Sequence, residues 1–388
     1  MSNGTNTSRL RGRVRCARAL QVAAGILLAG IFMAGCSATA RQPSAGTAPI
    51  FYPPLPNEPR LQFLASYSSE QDLAPDSGSM RDFVLGPEAR GGELLVKPYG
   101  VESWNGTVIV VDTRGPGWVV LDLTSKRARV VRPTGAGALS KPINMAIDTD
   151  GTRYVTDTGR DQVLVFDTKD DFVRAYGKSG QFKPVDVVVS RDELFVSDIA
   201  HHQVVVLDKR TGQEKRRFGK AGSAEGELFH PTNLALDAAG NLFVTDTTNF
   251  RVQKFAADGT FLRAYGQIGT AAGQFARPKG VAVDRAGRIF VVDAAFENVQ
   301  ILDPEGQPLL YFGSPGAQAD SMNLPTTVTI DYDDVASFQQ YAAPGFDIEY
   351  VVLVASQFGV NKVVAFGFGT YRGAEGGVGQ TQQGKGGP

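Results

Sequence analysis

The stretch PTNLALDAAGNLFVTDT, from Pro231 to Thr247, decides the fold. A proline opens it and a short, mostly apolar segment follows. Gly240 and Asn241 then stand where a hairpin needs a turn, because Gly and Asn tolerate the positive φ of tight turns. A second apolar segment, Leu242 to Thr245, ends at Asp246. The segments contain β-branched and aromatic residues and show no long 3.6-residue period, so the stretch predicts a β-hairpin.

Five further segments of the chain resemble this one. Each opens with a proline, and successive prolines lie 44, 42, 47, 47 and 47 residues apart. The six prolines are Pro98, Pro142, Pro184, Pro231, Pro278 and Pro325. A repeat of about 40 to 50 residues is typical of a four-stranded propeller blade. The sequence therefore predicts an all-β fold, a six-bladed β-propeller with four antiparallel strands in each blade.

The repeats resemble the NHL repeat family, whose pattern reads P-x-G-[IV]-A-[VL]-D, then a glycine turn, then [IL]-[FY]-V-x-D, and later [NR]-[RV]-[IV]-Q-x-F. The resemblance covers about residues 98–371. It is strongest at 231–266 and 278–313, and weak in the first and sixth repeats. It implies a propeller of NHL type, a fold that serves both enzymes and binding proteins.

The sixth repeat shows three strands but no clear fourth one. Residues 63–68, FLASYS, align with residues 261–266, FLRAYG, which form the fourth strand of the fourth repeat. A free blade edge is an exposed template for pairing with another chain. We therefore expect residues 61–68 to supply the outer strand of the last blade.

The N-terminus is typical of an export signal. Five arginines, Arg9, Arg11, Arg13, Arg15 and Arg18, precede an apolar run from Ala19 to Ala34. That run is short for a membrane span, which needs about 20 residues. Met33-Ala34-Gly35-Cys36 resembles the lipobox of bacterial lipoproteins, which implies acylation of Cys36 and cleavage just before it. The alternative is a plain signal peptide with a chance cysteine.

These signals predict four regions: a lipoprotein signal peptide over 1–35, a Pro-rich tether over 36–60, the propeller over 61–371 and a disordered Gly-rich tail over 372–388. Ser37, in place of an Asp, favours the outer membrane of a Gram-negative cell. Of the two cysteines, Cys16 lies in the predicted signal and Cys36 takes the lipid, so no disulfide is expected.

The charge balance argues against nucleic acid as a partner. The whole chain has a formal net charge of −1, and residues 1–35 hold five Arg and no acid, so the chain after cleavage carries −6. Phosphate contacts need a basic face. We expect a monomeric propeller held at a membrane by its lipid, with a protein as its partner.

The second residue after each opening proline is the main candidate for a site. The first and fifth repeats keep Gly100 and Gly280, whereas the others carry Asn144, Asp186, Asn233 and Thr327. This position begins the innermost strand of a blade, near the mouth of the central channel. Amide and carboxylate oxygens suit Ca²⁺. Gluconolactonase- and paraoxonase-type propellers hold calcium there, but their motifs are not evident here. The alternative is hydrogen bonding with neighbouring blades and channel waters.

Acidic residues end five of the second strands. Because the acid recurs in nearly every repeat, we expect it to fix the turn by accepting backbone N–H bonds rather than to catalyse. Ser356 occupies the equivalent position in the sixth repeat, and we expect it to fix the turn in the same way but more weakly. The acids are Asp112, Asp157, Asp198, Asp246 and Asp293.

Histidine is scarce in the chain. Zinc-dependent amidating lyases, which use an NHL-like propeller, need several channel histidines. Here His201 and His202 share one loop and His230 precedes Pro231, so a three-histidine zinc site is disfavoured. No Gly-x-Ser-x-Gly or His-Glu-x-x-His motif occurs.

The loops after the second strands are diverse and combine charged with aromatic residues, which suits a protein partner. The partner-face candidates are Arg114, Arg160, His201, His202, Phe250, Phe296 and Phe358. On the same face, the residues three before four of the opening prolines are expected to plug the blade junctions: Leu139, Leu228, Phe275 and Met322. An insertion at 332–348, rich in aromatics, falls in the first hairpin of the sixth repeat and is expected to dock onto the propeller or a partner.

The sequence thus favours a non-catalytic, membrane-tethered binding module that presents a loop face to a protein partner. One alternative is a calcium-dependent, lactonase-like hydrolase or lyase that acts at the channel mouth. Another is a binder of small ligands or glycans there.

Overall fold

The computed structural model describes residues 48–73, 94–115 and 117–373. Their strands form six antiparallel sheets, which are the six blades of a β-propeller, as the sequence predicts. The predicted signal peptide, Cys36 and residues 374–388 of the predicted tail lie outside the described residues. None of the helices in the described ranges is long and apolar enough to cross a membrane.

Five blades follow the chain from the channel outward. Blade 1 has β3 Pro98–Trp104, β4 Thr107–Asp112, β5 Gly117–Asp122 and β6 Arg127–Val131. Blade 2 has β7 Pro142–Ile147, β8 Arg153–Asp157, β9 Gln162–Phe166 and β10 Phe172–Tyr176. Blade 3 has β11 Pro184–Val189, β12 Glu193–Asp198, β13 Gln203–Asp208 and β14 Glu214–Phe218. Blade 4 has β15 Pro231–Leu236, β16 Leu242–Asp246, β17 Arg251–Phe255 and β18 Phe261–Tyr265. Blade 5 has β19 Pro278–Val283, β20 Ile289–Asp293, β21 Asn298–Leu302 and β22 Pro308–Phe312.

Blade 6 joins the two ends of the described chain. It has β23 Asn323–Asp331, β24 Phe346–Phe358, β25 Val363–Tyr371, β2 Leu61–Tyr67 and β1 Phe51–Tyr52. β2 pairs antiparallel with β25, from Leu61 opposite Phe368 to Tyr67 opposite Val363. The prediction that residues 61–68 close the last blade is confirmed.

Helical structure in the described ranges is short. The one α-helix there is α1 Val335–Phe338, and single 3₁₀ turns span Glu70–Leu73, Gly135–Gly137, Thr247–Asn249 and Gln339–Tyr341.

The hairpin turn of blade 4 shows how the sequence builds a blade. Oδ1 of Asp237 accepts hydrogen bonds from the backbone N–H groups of Ala239 and Asn241. Gly240 takes a φ of 82°, a left-handed conformation that glycine adopts without steric cost. The turn therefore holds β15 against β16, with Leu236 opposite Leu242.

The core lies between the blades. Six clusters of buried apolar residues occupy the six junctions between neighbouring blades, and each cluster draws residues from both blades. At the junction of blades 1 and 2, for example, Trp118 packs edge-on against Phe166, with ring centres 5.0 Å apart. Leu139, Leu228, Phe275 and Met322 are buried in these clusters, which confirms them as junction plugs.

Part of the stretch expected to be a tether belongs to the propeller. β1 pairs with the edge of β2, and Phe51 is buried with its ring 5.0 Å from Tyr371 and 5.9 Å from Phe346. The Tyr52 hydroxyl donates a hydrogen bond to Asp320. The reason is the apolar pair Phe51-Tyr52, which covers the edge of β2. Residues 36–47 of the expected tether lie outside the described part of the chain.

The insertion of the sixth repeat docks onto the propeller itself. Phe338 of α1 is fully buried in the cluster between blades 6 and 1. Nε2 of Gln62 donates to the carbonyl of Tyr341, and the Ala343 N–H donates to Oε1 of Gln62. The insertion thus ties β2 to the first hairpin of blade 6.

Candidate functional site at the channel mouth

A break in each inner hairpin positions the candidate residues. The pairing of the first two strands shifts register just after the opening proline in all six blades, for example between Pro184 and Val187. Such irregularities re-aim side chains. The four sequence-predicted residues Asn144, Asp186, Asn233 and Thr327 consequently all line one cavity at the axis.

Two pairs of these side chains are bonded to each other. Nδ2 of Asn144 donates to Oδ1 of Asp186 at 2.6 Å, which links blades 2 and 3. Nδ2 of Asn233 donates to Oγ1 of Thr327 at 3.3 Å, which links blades 4 and 6. We call these four residues the polar belt. The sequence left two interpretations open for these residues, a Ca²⁺ site or hydrogen bonding between blades. The contacts of the polar belt are hydrogen bonds between blades.

The donor set of the belt does not fit calcium in this arrangement. Ca²⁺ takes six to eight oxygen ligands. Oδ1 of Asp186 also accepts the Val187 N–H, its Oδ2 accepts the Leu234 N–H, and Oδ1 of Asn144 accepts the Met145 N–H. The oxygens that would ligate a cation are therefore committed to N–H donors. Burial raises the pKa of Asp186 to about 7, although hydrogen bonds from the Leu234 and Val187 N–H groups and from the Asn144 amide lower it.

The glycines at this position have a packing cause. A Cβ at Gly100 would lie 2.0 Å from Oδ1 of Asn144, and a Cβ at Gly280 would lie 2.7 Å from the Thr326 carbonyl oxygen. Blades 1 and 5 therefore keep glycine because the next blade occupies that space.

Tyr99 crosses the channel on the loop face, the face that carries the loops after the second strands and the blade-junction loops. Its hydroxyl donates to Oδ1 of Asn233 at 3.3 Å, from blade 1 to the opposite blade 4. The ring is only 6% exposed and packs with Ile143 and Val185. Burial and the charge of Asp186 raise the pKa of Tyr99, so the hydroxyl keeps its proton and remains a donor.

The cavity beyond the belt, about 430 Å³ in volume, carries a second carboxyl group. Glu102 of β3 lines it among side chains such as Ala235, Val281 and Val283. It is partly exposed to the cavity but surrounded by protein. Burial, followed by the charges of Asp186 and Asp331, raises the pKa of Glu102 well above its usual value. Two carboxyl groups with raised pKa thus face one channel.

The acids that end the second strands fix loops, as expected. Asp112 accepts the N–H groups of Val96, Lys97, Arg114 and Gly115, and the four other acids make equivalent bonds. The expectation for Ser356 is wrong. Its buried Oγ has no hydrogen-bond partner within the described ranges, because the short side chain does not reach the junction. Oε1 of Glu297, from blade 5, accepts the Leu324 N–H there instead.

Several predicted partner-face residues are bonded within the loop face itself. The Arg160 guanidinium donates to the carbonyls of Ala136 and Ala138, and Nδ1 of His201 lies 2.7 Å from Oδ2 of Asp198. His202 and Phe250 each take a φ of 57° at equivalent loop positions.

Other candidates remain available to a partner. Phe358 is 52% exposed and Arg114 is also exposed, whereas Phe296 is half-buried. Ile268, in the junction loop between blades 4 and 5, was not singled out from the sequence and is 66% exposed.

The histidines form a stack rather than a metal site. His202 lies flat on Phe229, with ring centres 4.6 Å apart, and its Nδ1 accepts the His230 N–H. Burial and His230 lower the pKa of His202. In the described part of the chain, no three His, Cys, Asp or Glu side chains are grouped so that they could hold a metal ion.

Sequence reasoning missed Tyr99, Glu102 and Lys279. Tyr99 and Lys279 both follow an opening proline directly, where the other blades carry Ile143, Val185 or threonine. A long side chain with a polar group at this position, where the other blades have an aliphatic residue or threonine, is the signal that could have identified Tyr99 and Lys279. Nζ of Lys279 lies 5.2 Å from the centre of the Tyr99 ring.

Comparison with known proteins agrees with this architecture. A family model described as NHL repeat matches residues 230–255. Peptidylglycine alpha-amidating monooxygenase of Rattus norvegicus is 28% identical over an alignment of 190 positions, which covers 42% of this chain and 20% of that protein. Protein lin-41 of Caenorhabditis elegans is 47% identical over 45 residues, 12% of this chain and 4% of that protein. The chain spans about a fifth or less of the length of these curated relatives.

Solved structures share the fold at low identity. A gluconolactonase of Xanthomonas campestris gives a TM-score of 0.54 at 16% identity, over 84% of this chain and 96% of that one. A protein of Bacteroides thetaiotaomicron gives a TM-score of 0.52 at 16% identity, over 72% of this chain and 71% of that one. The likeness at this identity concerns the fold alone. The chain is a six-bladed β-propeller that carries an NHL repeat at residues 230–255.

Proposed function

We propose that the chain is a non-catalytic binding module that holds a protein partner on its loop face and is tied to a bacterial outer membrane by a lipid on Cys36. The observation that carries the binding role is the exposure, on that face, of Phe358 at the end of β24 and of Ile268 in the junction loop between blades 4 and 5. Aromatic residues such as Phe358 and arginines such as the exposed Arg114 are enriched where proteins bind proteins. The mutual bonding of the polar belt supports a structural role for the channel mouth.

Site-specific photo-crosslinking in native membranes tests the proposal. A benzophenone side chain in place of Phe358 or Ile268 is expected to give one discrete adduct, identified by mass spectrometry. Tyr311, a 62% exposed residue on outer strand β22, is the matched control and is expected to give none. The crosslinked protein must then bind the purified chain. The same adducts from Tyr311, or none from the loop face, contradict the proposal.

A second candidate is a hydrolase or lyase that acts in the channel. The cavity of about 430 Å³, with Glu102 and Asp186 both raised in pKa, favours it, because carboxyl groups of raised pKa suit acid–base catalysis. A screen of lactones and esters with the wild-type chain and Glu102→Gln decides between the two. Turnover lost in Glu102→Gln supports the enzyme. Elemental analysis after dialysis, repeated with Asp186→Ala, tests the calcium hypothesis alongside.

A further inference from the structure

Basic residues surround the channel on the loop face. The residue directly before the opening proline is basic in five of the six repeats. These residues are Lys97, Lys141, Lys183, His230 and Arg277, with Leu324 at the sixth place. Since each opening proline begins an innermost strand, the five residues stand around the channel mouth. The net negative charge of the chain conceals this local excess of cations.

Three cations lie close together beside Tyr99. Lys279 holds its Nζ above the Tyr99 ring, and Lys97 holds its Nζ 5.5 Å from the centre of the Phe358 ring. Arg277 and Lys97 are near enough for their charges, after burial itself, to lower the pKa of Lys279 to about 8. The three residues belong to blades 1 and 5, on two sides of the mouth.

The cluster has no carboxylate partner. Within the described ranges, no Asp or Glu oxygen lies within 4.0 Å of the side-chain nitrogens of Lys97, Arg277 or Lys279. The nearby carboxylates of Asp112 and Asp293 instead accept backbone N–H groups, including those of Lys97 and Arg277. Unpaired like charges in a partly buried place repel one another, and an anion would relieve that repulsion.

We propose that Lys97, Arg277 and Lys279 form a binding site for an oxyanion, a carboxylate or a phosphate group, at the loop-face mouth of the channel. Tyr99 closes the channel beneath the site, so the anion sits at the mouth and does not enter the cavity. The exposed ring of Phe358 offers a surface to the apolar part of the molecule that carries the anion. This inference rests on the proposed function in one respect: the molecule that carries the anion is the partner bound on the loop face.

Isothermal titration of the full-length chain in detergent tests the site without any partner. The probes are inorganic phosphate and propionate at constant ionic strength, with chloride as the reference anion. We expect saturable binding of one probe in the millimolar range or tighter, weaker above pH 8 as Lys279 loses its proton. Preference for phosphate indicates a phosphate-bearing ligand, and preference for propionate a carboxylate.

Matched variants locate the site. Lys279→Met and Arg277→Met are expected to weaken binding at least tenfold, Arg277→Lys less than Arg277→Met, and Lys141→Met not at all, because Lys141 stands apart from the cluster. Circular dichroism checks that each variant is folded. Absence of saturable binding, or equal loss in Lys141→Met and Lys279→Met, overturns the inference. Crosslinking at Phe358 that persists in that case leaves the proposed function standing.

Discussion

Nζ of Lys279 lies 5.2 Å from the centre of the Tyr99 ring, at the point where the channel closes. Cation–π attraction favours the charged ammonium. Burial and the charges of Arg277 and Lys97 favour the neutral amine. Their combined effect is larger than the cation–π attraction, because the pKa of Lys279 is lowered to about 8. The fold therefore holds a cation at neutral pH at a cost to its own stability, which is expected of a residue kept for binding.

Lys279→Met is expected to stabilise the chain at pH 7, by about 1 kcal/mol after allowance for screening by water. Below pH 8 the lysine is charged in both the folded and unfolded states, so the full cost is present. Between pH 8 and 10.5 the folded state loses its proton first, and the wild type recovers stability. Urea unfolding at pH 7 and pH 10 measures the difference. The exposed Lys141→Met is the control, and an equal gain at both pH values contradicts the prediction.

Glu102→Gln is expected to flatten the dependence of stability on pH. Because the folded state raises the pKa of Glu102, it binds the proton more tightly than the unfolded state does. The free energy of unfolding contributed by Glu102 is thus complete below about pH 4.5 and is lost as pH rises through the folded pKa. Between about pH 5 and pH 8, the difference in free energy of unfolding between Glu102→Gln and the wild type should change with pH. For Glu305→Gln, a variant in an exposed hairpin, that difference should stay constant. A constant difference for Glu102→Gln counts against the prediction.

The bond between Asn144 and Asp186 is expected to couple blades 2 and 3. Asp186→Ala leaves the N–H groups of Val187 and Leu234 and the amide of Asn144 without their acceptor, a loss of about 2 to 4 kcal/mol. Asn144→Ala should cost less. A double-mutant cycle by urea unfolding should give a coupling energy of about 1 kcal/mol or more. Additive effects mean that the two residues act separately.

The blades and the polar belt could be predicted because a propeller is a one-dimensional repeat. Each blade repeats its strand order, so Pro231 and its equivalents mark the boundaries, and the alignment of Phe63 with Phe261 identifies the closing strand. Replacement of glycine by Asn144 and Asp186 against that pattern was readable for the same reason.

The contacts across the ring could not be predicted in this way. Tyr99 contacts Asn233 and Lys279 only because the ring closes. Closure places blade 1 opposite blade 4, and it brings the first strands of blades 1 and 5 near each other at the channel mouth. No spacing along the chain encodes that distance. The failure at Ser356 has a similar origin, because its substitute Glu297 comes from another blade.

Closure of blade 6 by β2 is expected to make unfolding of the ring cooperative. Phe63 of β2 is buried with its ring 6.0 Å from Phe366 of β25, so Phe63→Ala removes a large core side chain at the seam between the two ends. We expect a loss of about 3 to 5 kcal/mol, against little change for the exposed Tyr311→Ala. Trp118 is buried between blades 1 and 2, away from the seam, and Trp104, the other tryptophan, belongs to blade 1 and lies under Arg153 of blade 2. The tryptophan fluorescence should therefore change at the same urea concentration as the far-UV circular dichroism. If the circular dichroism of Phe63→Ala falls while Trp118 stays native, blade 6 detaches by itself and the strand closes one blade only.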